Sequence, residues 1–260
     1  KERARAARGD IESFHKQSKD LLEFKTPSEF VYDQESLKAK VTGLFVDGNA
    51  VEEIEEEGDV AFDLTPFYAE MGGQVSDTGT LKNDSVLGTI TRVGKAPAGQ
   101  HLHHVHLQFG HLSVGEEVEL ALDTKRRHLI ERNHSATHLL HAAISEILGK
   151  HVEQKGSYCD ENYLRFDFTS MDKLSSEDLN KIEALVNEKI AESIPEETKI
   201  LPVEEAKNLG AEMEFSEKYG SVVRVVCFED FSKEFCGGTH VKNTSEIGLF
   251  VLESESSVSA

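Results

Sequence analysis

The spacing of apolar residues changes near residue 124, and this change constrains the fold more than any other feature of the sequence. From about residue 38 to 122, apolar and polar residues alternate in short runs, which is typical of strands with one buried face. Gly and Asp recur between the runs, and short strands at this spacing predict a small β-barrel or sandwich. The predicted strands cover about 38–46, 60–64, 86–93, 101–107 and 117–122.

Beyond residue 124 the apolar residues follow the spacing of helices. Asp123 and Thr124 can cap a helix that runs to Leu148 and ends at Gly149. A second helix is predicted over about 176–193, before a proline. This half is therefore predicted to be an α+β domain. Its short strands are predicted near 151–157, 164–168, 199–203 and 221–228.

The first residues, up to about 24, have a partial apolar stripe that predicts an amphipathic helix. We therefore divide the chain into a helical linker segment over 1–35, a β-barrel domain over 36–123 and an α+β domain over 124–260. Lys1 lies inside a helical pattern, and the last residues, GLFVLESESSVSA, stop in a strand-like run. We expect a piece of a longer chain, with a trimmed complete protein as the alternative.

The composition excludes several classes of protein. The 260 residues include 28 Lys and Arg against 48 Asp and Glu, a formal net charge of −20. This balance argues against broad, nonspecific nucleic-acid binding, although residues 125–132 (KRRHLIER) form a local basic stretch. No segment approaches the roughly 18 apolar residues that a membrane helix needs. The odd number of cysteines (Cys159, Cys227 and Cys236) argues for a reducing compartment.

Two histidines lie four residues apart in the predicted helix over 124–148. His134 and His138 would lie one turn apart on one face, which is the geometry for two imidazoles on one metal ion. Position 135 is Ser, so the pair lacks the glutamate base of the zinc proteases. His141 lies on the same face and is either a third ligand or a packed or hydrogen-bonded histidine.

Further ligand-type side chains occur in the segment CGGTH, which runs from Cys236 to His240. Its two glycines allow a tight turn that brings the thiolate and the imidazole inward. The alternatives are an ordinary buried cysteine beside a turn and a nucleophilic Cys–His pair. The nucleophilic pair needs an orienting group that the sequence does not reveal. The combined set matches the ligands that zinc prefers, so the sequence predicts a zinc site. That set is His134, His138, Cys236 and His240.

A run of histidines, HLHHVH over 101–106, is a second possible metal motif. On a strand, His101 and His103 face one side, whereas His104 and His106 face the other. Such a split does not build one compact site. We interpret the run as an exposed or edge strand, with adventitious metal binding as the alternative.

A glycine-rich segment, TPFYAEMGGQVSDTG, runs from Thr65 to Gly79. It lacks the lysine of a phosphate-binding P-loop. Its glycines permit positive φ and a close approach of the backbone to a ligand. From the residues alone, it is a glycine-rich turn in the β-domain.

Three motifs in this order resemble the editing domain of alanyl-tRNA synthetases: TPFYAEMGGQVSDTG, RNHSATHLLHAAI and FCGGTH. The resemblance spans about 1–260, and the free-standing AlaX deacylases have a similar pattern. It implies an α+β fold in which a small β-barrel precedes an editing domain of the threonyl/alanyl second-additional-domain type. Met71 and Ser76 depart from the small residue and the glycine that we expect there.

The resemblance implies a cytoplasmic aminoacyl-tRNA hydrolase of protein biosynthesis that removes Ser or Gly from the 3′ adenosine of mischarged tRNA(Ala). Its partners would be the acceptor end of tRNA(Ala) and the remainder of the synthetase chain. Aminoacylation is not expected, because the sequence shows no phosphate-binding motif of an ATP site. The alternatives are a free-standing AlaX-like trans-editing deacylase, a non-catalytic tRNA-binding zinc module and a structural zinc protein.

The resemblance also assigns roles to individual residues. Thr65 matches the threonine thought to sense the serine hydroxyl, and Gln74 lies in the segment that lines the substrate pocket. No general base is identified. The residues that match the zinc ligands of the family are His134, His138, Cys236 and His240.

Overall fold

A computed structural model describes residues 18–170, 173–213 and 220–257 of the protein. They form two compact units, one from 18–71 and 75–127 and the other from 72–74 and 128–257. Most of the helix predicted over 1–24 lies outside the described residues, of which only Lys19–Glu23 form a helix in that region, α1.

The first unit contains eleven strands among its described residues. They are β1 Glu29–Phe30, β2 Ser36–Val46, β3 Asn49–Val51, β4 Glu53–Ile54, β5 Glu57–Phe62, β6 Leu64–Thr65, β7 Gly79–Lys82, β8 Leu87–Lys95, β9 His101–Phe109, β10 Leu112–Ser113 and β11 Glu117–Leu122. All five strands predicted for this half are confirmed, with bounds shifted by a few residues.

Six of these strands close into a barrel in the order β11-β7-β8-β9-β5-β2, and β11 pairs back with β2. Every pairing in the ring is antiparallel, and closure leaves these strands without a free edge. Alternate side chains fill the interior with a buried apolar core that includes Val60, Phe62, Ile90, Val105 and Leu120. The small barrel predicted from the sequence is confirmed.

A buried ion pair fixes the glycine-rich segment within the first unit. The guanidinium of Arg127 contacts the carboxylate of Asp77 through two nitrogens and also donates to the carbonyl of Pro66, at 2.8 Å. Asp77 in turn accepts the N–H of Tyr68 at 2.7 Å. The basic stretch over 125–132 is therefore not a uniform surface, because only 4% of the Arg127 side chain is exposed.

The second unit is an α+β structure in which two helices share one apolar core with a three-stranded sheet. Its elements are α2 Thr124–Leu148, whose first turn belongs to the first unit, β12 Gln154–Cys159, β13 Leu164–Phe168, α3 Ser176–Ala191, β14 Glu197–Pro202, α4 Val203–Asn208, β15 Val222–Phe228, β16 Ser232–Phe235 and a 3-10 turn Thr244–Ile247. Residues from α2, α3 and β15 contribute to that core, which includes Leu139, Val186 and Phe228. The order of the three-stranded sheet is β14-β15-β16, and β12 pairs with β13 in a separate hairpin.

Both predicted long helices are confirmed. Ser175 caps α3 by accepting the N–H of Asp178, whose side chain bonds back to the cap, so the helix has a capping box. Within the described ranges, no helix combines the length and the apolar character that crossing a bilayer requires.

Candidate metal centre

Four ligand-type side chains converge in the second unit. Helix α2 supplies His134 and His138, and the loop after β16 supplies Cys236 and His240. The candidate ligand atoms, one nitrogen from each histidine and Sγ of the cysteine, all lie within 4.8 Å of one another. We call these four residues the His3Cys cluster. The structure thus brings together the four residues that the sequence singles out.

The spacing of the cluster fits a tetrahedral ion. Sγ of Cys236 lies 3.5 Å from Nε2 of His134 and 3.3 Å from Nε2 of His240. Zinc bonds of about 2.3 Å to sulfur and about 2.0–2.1 Å to nitrogen would separate two such ligands by about 3.5 Å. The donor set of three imidazoles and one thiolate can hold a metal, and its chemistry suits zinc.

One nitrogen of the cluster lacks a protein partner. Nδ1 of His138 is buried and has no hydrogen-bond partner among the described residues, while its Nε2 lies 3.7 Å from Oε2 of Glu234. A buried polar atom without a partner costs free energy, which an ion that takes its lone pair would remove. This orphaned nitrogen is a second sign that the cluster is shaped for an ion.

Gln74 orients the first histidine of the cluster. Nδ1 of His134 donates to Oε1 of Gln74 at 2.7 Å, because an amide oxygen can only accept. The same oxygen accepts the N–H of Thr239 at 3.0 Å, and Nε2 of Gln74 donates to the Thr239 hydroxyl at 2.8 Å. The proton on Nδ1 leaves the lone pair of Nε2 for a metal. Gln74, predicted to line a pocket, is thus fully buried against His134 and Thr239.

Ser135 has the corresponding role for His240. Its Oγ lies 3.0 Å from Nδ1 of His240 and accepts the N–H of Val241 at 3.1 Å. A proton on Nδ1 that is donated to this hydroxyl leaves Nε2 of His240 directed toward Cys236. The position at which zinc proteases have a glutamate therefore holds a hydroxyl that positions a ligand.

Glycines make the close approaches around the cluster possible. A Cβ atom at Gly238 would lie 2.1 Å from Cε1 of His134, so no larger residue fits at this position. Gly73 has φ of +82°, and a Cβ there would lie 2.4 Å from the carbonyl oxygen of Ser157. These two glycines allow the CGGTH loop and the Gln74 segment to pack around the imidazole of His134.

Burial keeps the cluster histidines neutral. It lowers the pKa of His134 and of His240 well below the usual value, and the neighbouring imidazoles add to the effect. Burial also lowers the pKa of His138, partly offset by Glu234. Neutral imidazoles are the form that binds a metal, so the three rings are ready as ligands at neutral pH.

His141 does not belong to the cluster. Its Nδ1 donates to Oε1 of Glu234 at 2.9 Å. Burial opposes protonation of this ring, but the hydrogen bond and the charge of Glu234 outweigh it and raise its pKa. Of the two interpretations of His141, the structure supports the hydrogen-bonded histidine.

Thr65 lies in the first unit, fully buried, in a chain of hydrogen bonds. Nδ1 of His103 lies 2.9 Å from the carbonyl oxygen of Val60, so this nitrogen carries the proton. Burial lowers the pKa of His103 to about 3, so the ring is neutral and its Nε2 must accept. That nitrogen lies 2.7 Å from Oγ1 of Thr65, whose hydroxyl therefore donates to it.

The remaining contacts decide what Thr65 can offer a ligand. Its Oγ1 accepts the N–H of Phe67 at 3.1 Å. Since the hydroxyl hydrogen is committed to His103, only a second lone pair on Oγ1 remains. Thr65 can therefore accept a hydrogen bond from a ligand but cannot donate one.

The interpretation of the histidine run as an exposed strand is wrong for His101 and His103, which are 6% and 0% exposed.

Sequence reasoning missed Ser135, Thr239 and His103 as partners of the predicted site residues. Ser135 and Thr239 lie inside the two ligand motifs, so their hydroxyls between ligands were a signal that could have been used. The sequence pattern groups His103 with an exposed run, and only the pairing of β5 with β9 in the barrel reveals its burial.

We expect replacement of Gln74 with Met to weaken metal binding about 10–100-fold, because partners that orient a ligand typically contribute this much. The change removes the acceptor of the His134 Nδ1–H while preserving most of the side-chain volume. Competition of the protein with a chromophoric chelator would measure the affinity. Gln108→Met, at an exposed glutamine of the first unit, is the matched control. Equal affinities for Gln74→Met and the unchanged protein would contradict the role of Gln74.

Comparison with known proteins identifies families and relatives that match this chain. A family model for "tRNA synthetases class II (A)" matches residues 1–126, and one for "Threonyl and Alanyl tRNA synthetase second additional domain" matches residues 223–260. An alanine–tRNA ligase from Geobacillus kaustophilus is 45% identical over 263 aligned positions. Those from Bacillus cytotoxicus and Bacillus velezensis are 46% identical. Each alignment covers 100% of this chain and 30% of the relative, so the chain spans about 30% of the length of these relatives.

Proposed function

We propose that this chain, which belongs to the alanyl-tRNA synthetase family, is the part of such a synthetase that hydrolyses mischarged tRNA(Ala). Water would cleave the ester between Ser or Gly and the 3′ adenosine, releasing the amino acid and the free tRNA. The observation that carries this proposal is the His3Cys cluster, whose Cys236 and His240 lie in the segment that matches the threonyl and alanyl second additional domain.

Physical chemistry explains why such an activity is needed. A pocket that selects alanine cannot strongly reject serine, which adds only a hydroxyl, or glycine, which lacks only a methyl group. A second site that forms a hydrogen bond with the serine hydroxyl can separate serine from alanine, because alanine would leave the polar group of the site unpaired.

The proposed metal is zinc, held by the His3Cys cluster. When bound, it can polarise the ester carbonyl, lower the pKa of a water molecule or hold the terminal adenosine. Four protein ligands form a closed tetrahedral shell, which favours the positioning role. The role of the protein's own residues is to keep three neutral imidazoles oriented. Gln74 would act on the substrate indirectly, through His134.

Thr65 is the proposed sensor of the serine hydroxyl. Its free lone pair would accept the hydrogen of that hydroxyl, since its own hydrogen is donated to His103. A hydrogen-bond acceptor at this position would let the site recognise and remove serine, but it cannot act on glycine, which has no hydroxyl. Removal of glycine would depend on the small size of the pocket.

The proposed partners are the acceptor end of tRNA(Ala) and the remainder of the synthetase chain, in protein biosynthesis in the cytoplasm. The basic stretch over 125–132 contributes exposed cations at Lys125 and Arg132. In an otherwise acidic protein, cations of this kind would meet the phosphates near the end of the tRNA.

Deacylation assays test the proposal directly. The purified chain would be incubated with Ser-tRNA(Ala), Gly-tRNA(Ala) and Ala-tRNA(Ala), with and without a chelator, while ester loss is followed. We expect loss of Ser and Gly, sparing of Ala and sensitivity to the chelator. If all three esters persist while the metal is bound and tRNA(Ala) still associates, the non-catalytic tRNA-binding module is the better description.

A further inference from the structure

The outward half of the histidine run meets acidic side chains of a neighbouring strand. Strand β9 pairs antiparallel with β5, so that His106 lies opposite Glu57 and His104 lies opposite Asp59. Residues opposite each other in an antiparallel pair project from the same face of the sheet. The sequence places two imidazoles on this face, and the barrel pairing adds two carboxylates to them.

The contacts among these side chains have the dimensions of a coordination shell. Nε2 of His104 lies 3.5 Å from one carboxylate oxygen of Glu57, and Nδ1 of His106 lies 3.1 Å from the other. The three residues offer ligand atoms that all lie within 4.8 Å of one another. Nitrogen and oxygen ligands on one tetrahedral zinc ion would be separated by about 3.4 Å.

Asp59 gives His104 the orientation that a metal ligand needs. Its carboxylate accepts the Nδ1–H of His104 at 2.9 Å, so Nε2 retains a lone pair on the side of Glu57. A carboxylate behind a histidine in this way is the usual outer partner of a ligating imidazole. Only 9% of the Asp59 side chain is exposed, whereas 57% of Glu57 is, so Asp59 is the supporting group and Glu57 the ligand.

We propose that Glu57, His104 and His106 form a second metal site, on the barrel, for a divalent transition-metal ion such as Zn²⁺, Co²⁺ or Ni²⁺. Two imidazoles favour these ions over Mg²⁺ and Ca²⁺, which prefer all-oxygen ligands. With three protein ligands, two of them about half exposed, the site completes its shell with water. It therefore binds more weakly than the His3Cys cluster. A bound ion would join β5 to β9 and stabilise the barrel.

Titration of the untagged, metal-free protein with Co²⁺ tests this proposal, because the two sites differ in their absorption. The His3Cys cluster contains the thiolate of Cys236 and gives a sulfur-to-cobalt charge-transfer band in the near ultraviolet. The barrel site has only nitrogen and oxygen ligands and adds weak visible bands alone. We expect two equivalents to bind, with the thiolate band complete after the first.

Variants assign the second equivalent. The double variant His104→Ala/His106→Ala should bind one equivalent with an unchanged thiolate band, which also shows that the second unit is folded. Asp59→Asn should weaken the second equivalent about 10–100-fold. His111→Ala, which removes an exposed histidine 3.7 Å from Glu53, is the matched control and should keep both equivalents. A single equivalent in the unchanged protein, or two in the double variant, would overturn the proposal.

Discussion

Replacement of Cys236 with Ala is expected to reduce deacylation of Ser-tRNA(Ala) to the uncatalysed background. The thiolate is the only anionic ligand in the His3Cys cluster, and its Sγ lies 3.5 Å and 3.3 Å from the Nε2 atoms of His134 and His240. Without it, three neutral imidazoles remain, a set that holds a divalent ion more weakly and leaves a gap where the shell was closed. Initial deacylation rates, measured together with the metal content of the same samples, would check this expectation.

The chain offers a matched control for this variant. Cys227 is buried in the same unit, on β15, and does not belong to the His3Cys cluster. Cys227→Ala should therefore retain both the metal and the activity. If Cys236→Ala remains active with its metal bound, Cys236 is not essential. If it loses activity but keeps the metal at full affinity, the thiol takes part in the chemistry, as in the nucleophilic alternative.

The metal cluster could be predicted because each half of it is a local signal. His134 and His138 are one helical turn apart. The glycines of CGGTH indicate a tight loop, in which a larger residue would clash with its neighbours. Local patterns also predicted the barrel strands, since each has an inner and an outer face. Strand β7 (Gly79–Lys82), which completes the ring, was missed because four residues with a leading glycine carry little alternation.

The groups that orient the ligands could not be predicted, because they are far apart in the sequence. Gln74 is 60 residues from His134 and 165 residues from Thr239, and Ser135 is 105 residues from His240. Such contacts follow from tertiary packing, and no periodic pattern encodes them. A single sequence could place Gln74 in a motif but could not show that its amide is committed to two partners.

The histidine run shows a different limit of sequence reasoning. The alternation of a strand correctly separated His101 and His103 from His104 and His106. It gave no information about which side is buried, because both sides carry the same residue type. Burial was decided by β8 and β5, which flank β9 within the barrel. The two sides consequently differ in chemistry: the inner one fixes a hydroxyl, and the outer one meets carboxylates.

We expect Thr65→Val to lower the deacylation rate of Ser-tRNA(Ala) by about 10-fold to 100-fold, since a lost hydrogen bond in a buried site costs about 1–3 kcal/mol. Valine has nearly the same shape but no lone pair for the serine hydroxyl. The rate for Gly-tRNA(Ala) should change little, because glycine never forms this contact. Thr65→Ser retains the hydroxyl and should behave like the unchanged protein in both assays.

The ratio of the two rates separates recognition from damage to the fold. An equal loss of deacylation rate for Ser-tRNA(Ala) and Gly-tRNA(Ala) would mean that Thr65→Val disturbs the barrel. An unchanged rate for Ser-tRNA(Ala) would mean that another group binds the serine hydroxyl. His103→Leu extends the argument, because it removes the acceptor that holds the Thr65 hydrogen. The Thr65 hydroxyl can then rotate, and its lone pair is no longer held toward the ligand, so this variant should also lose rate selectively on Ser-tRNA(Ala), although Thr65 itself is intact.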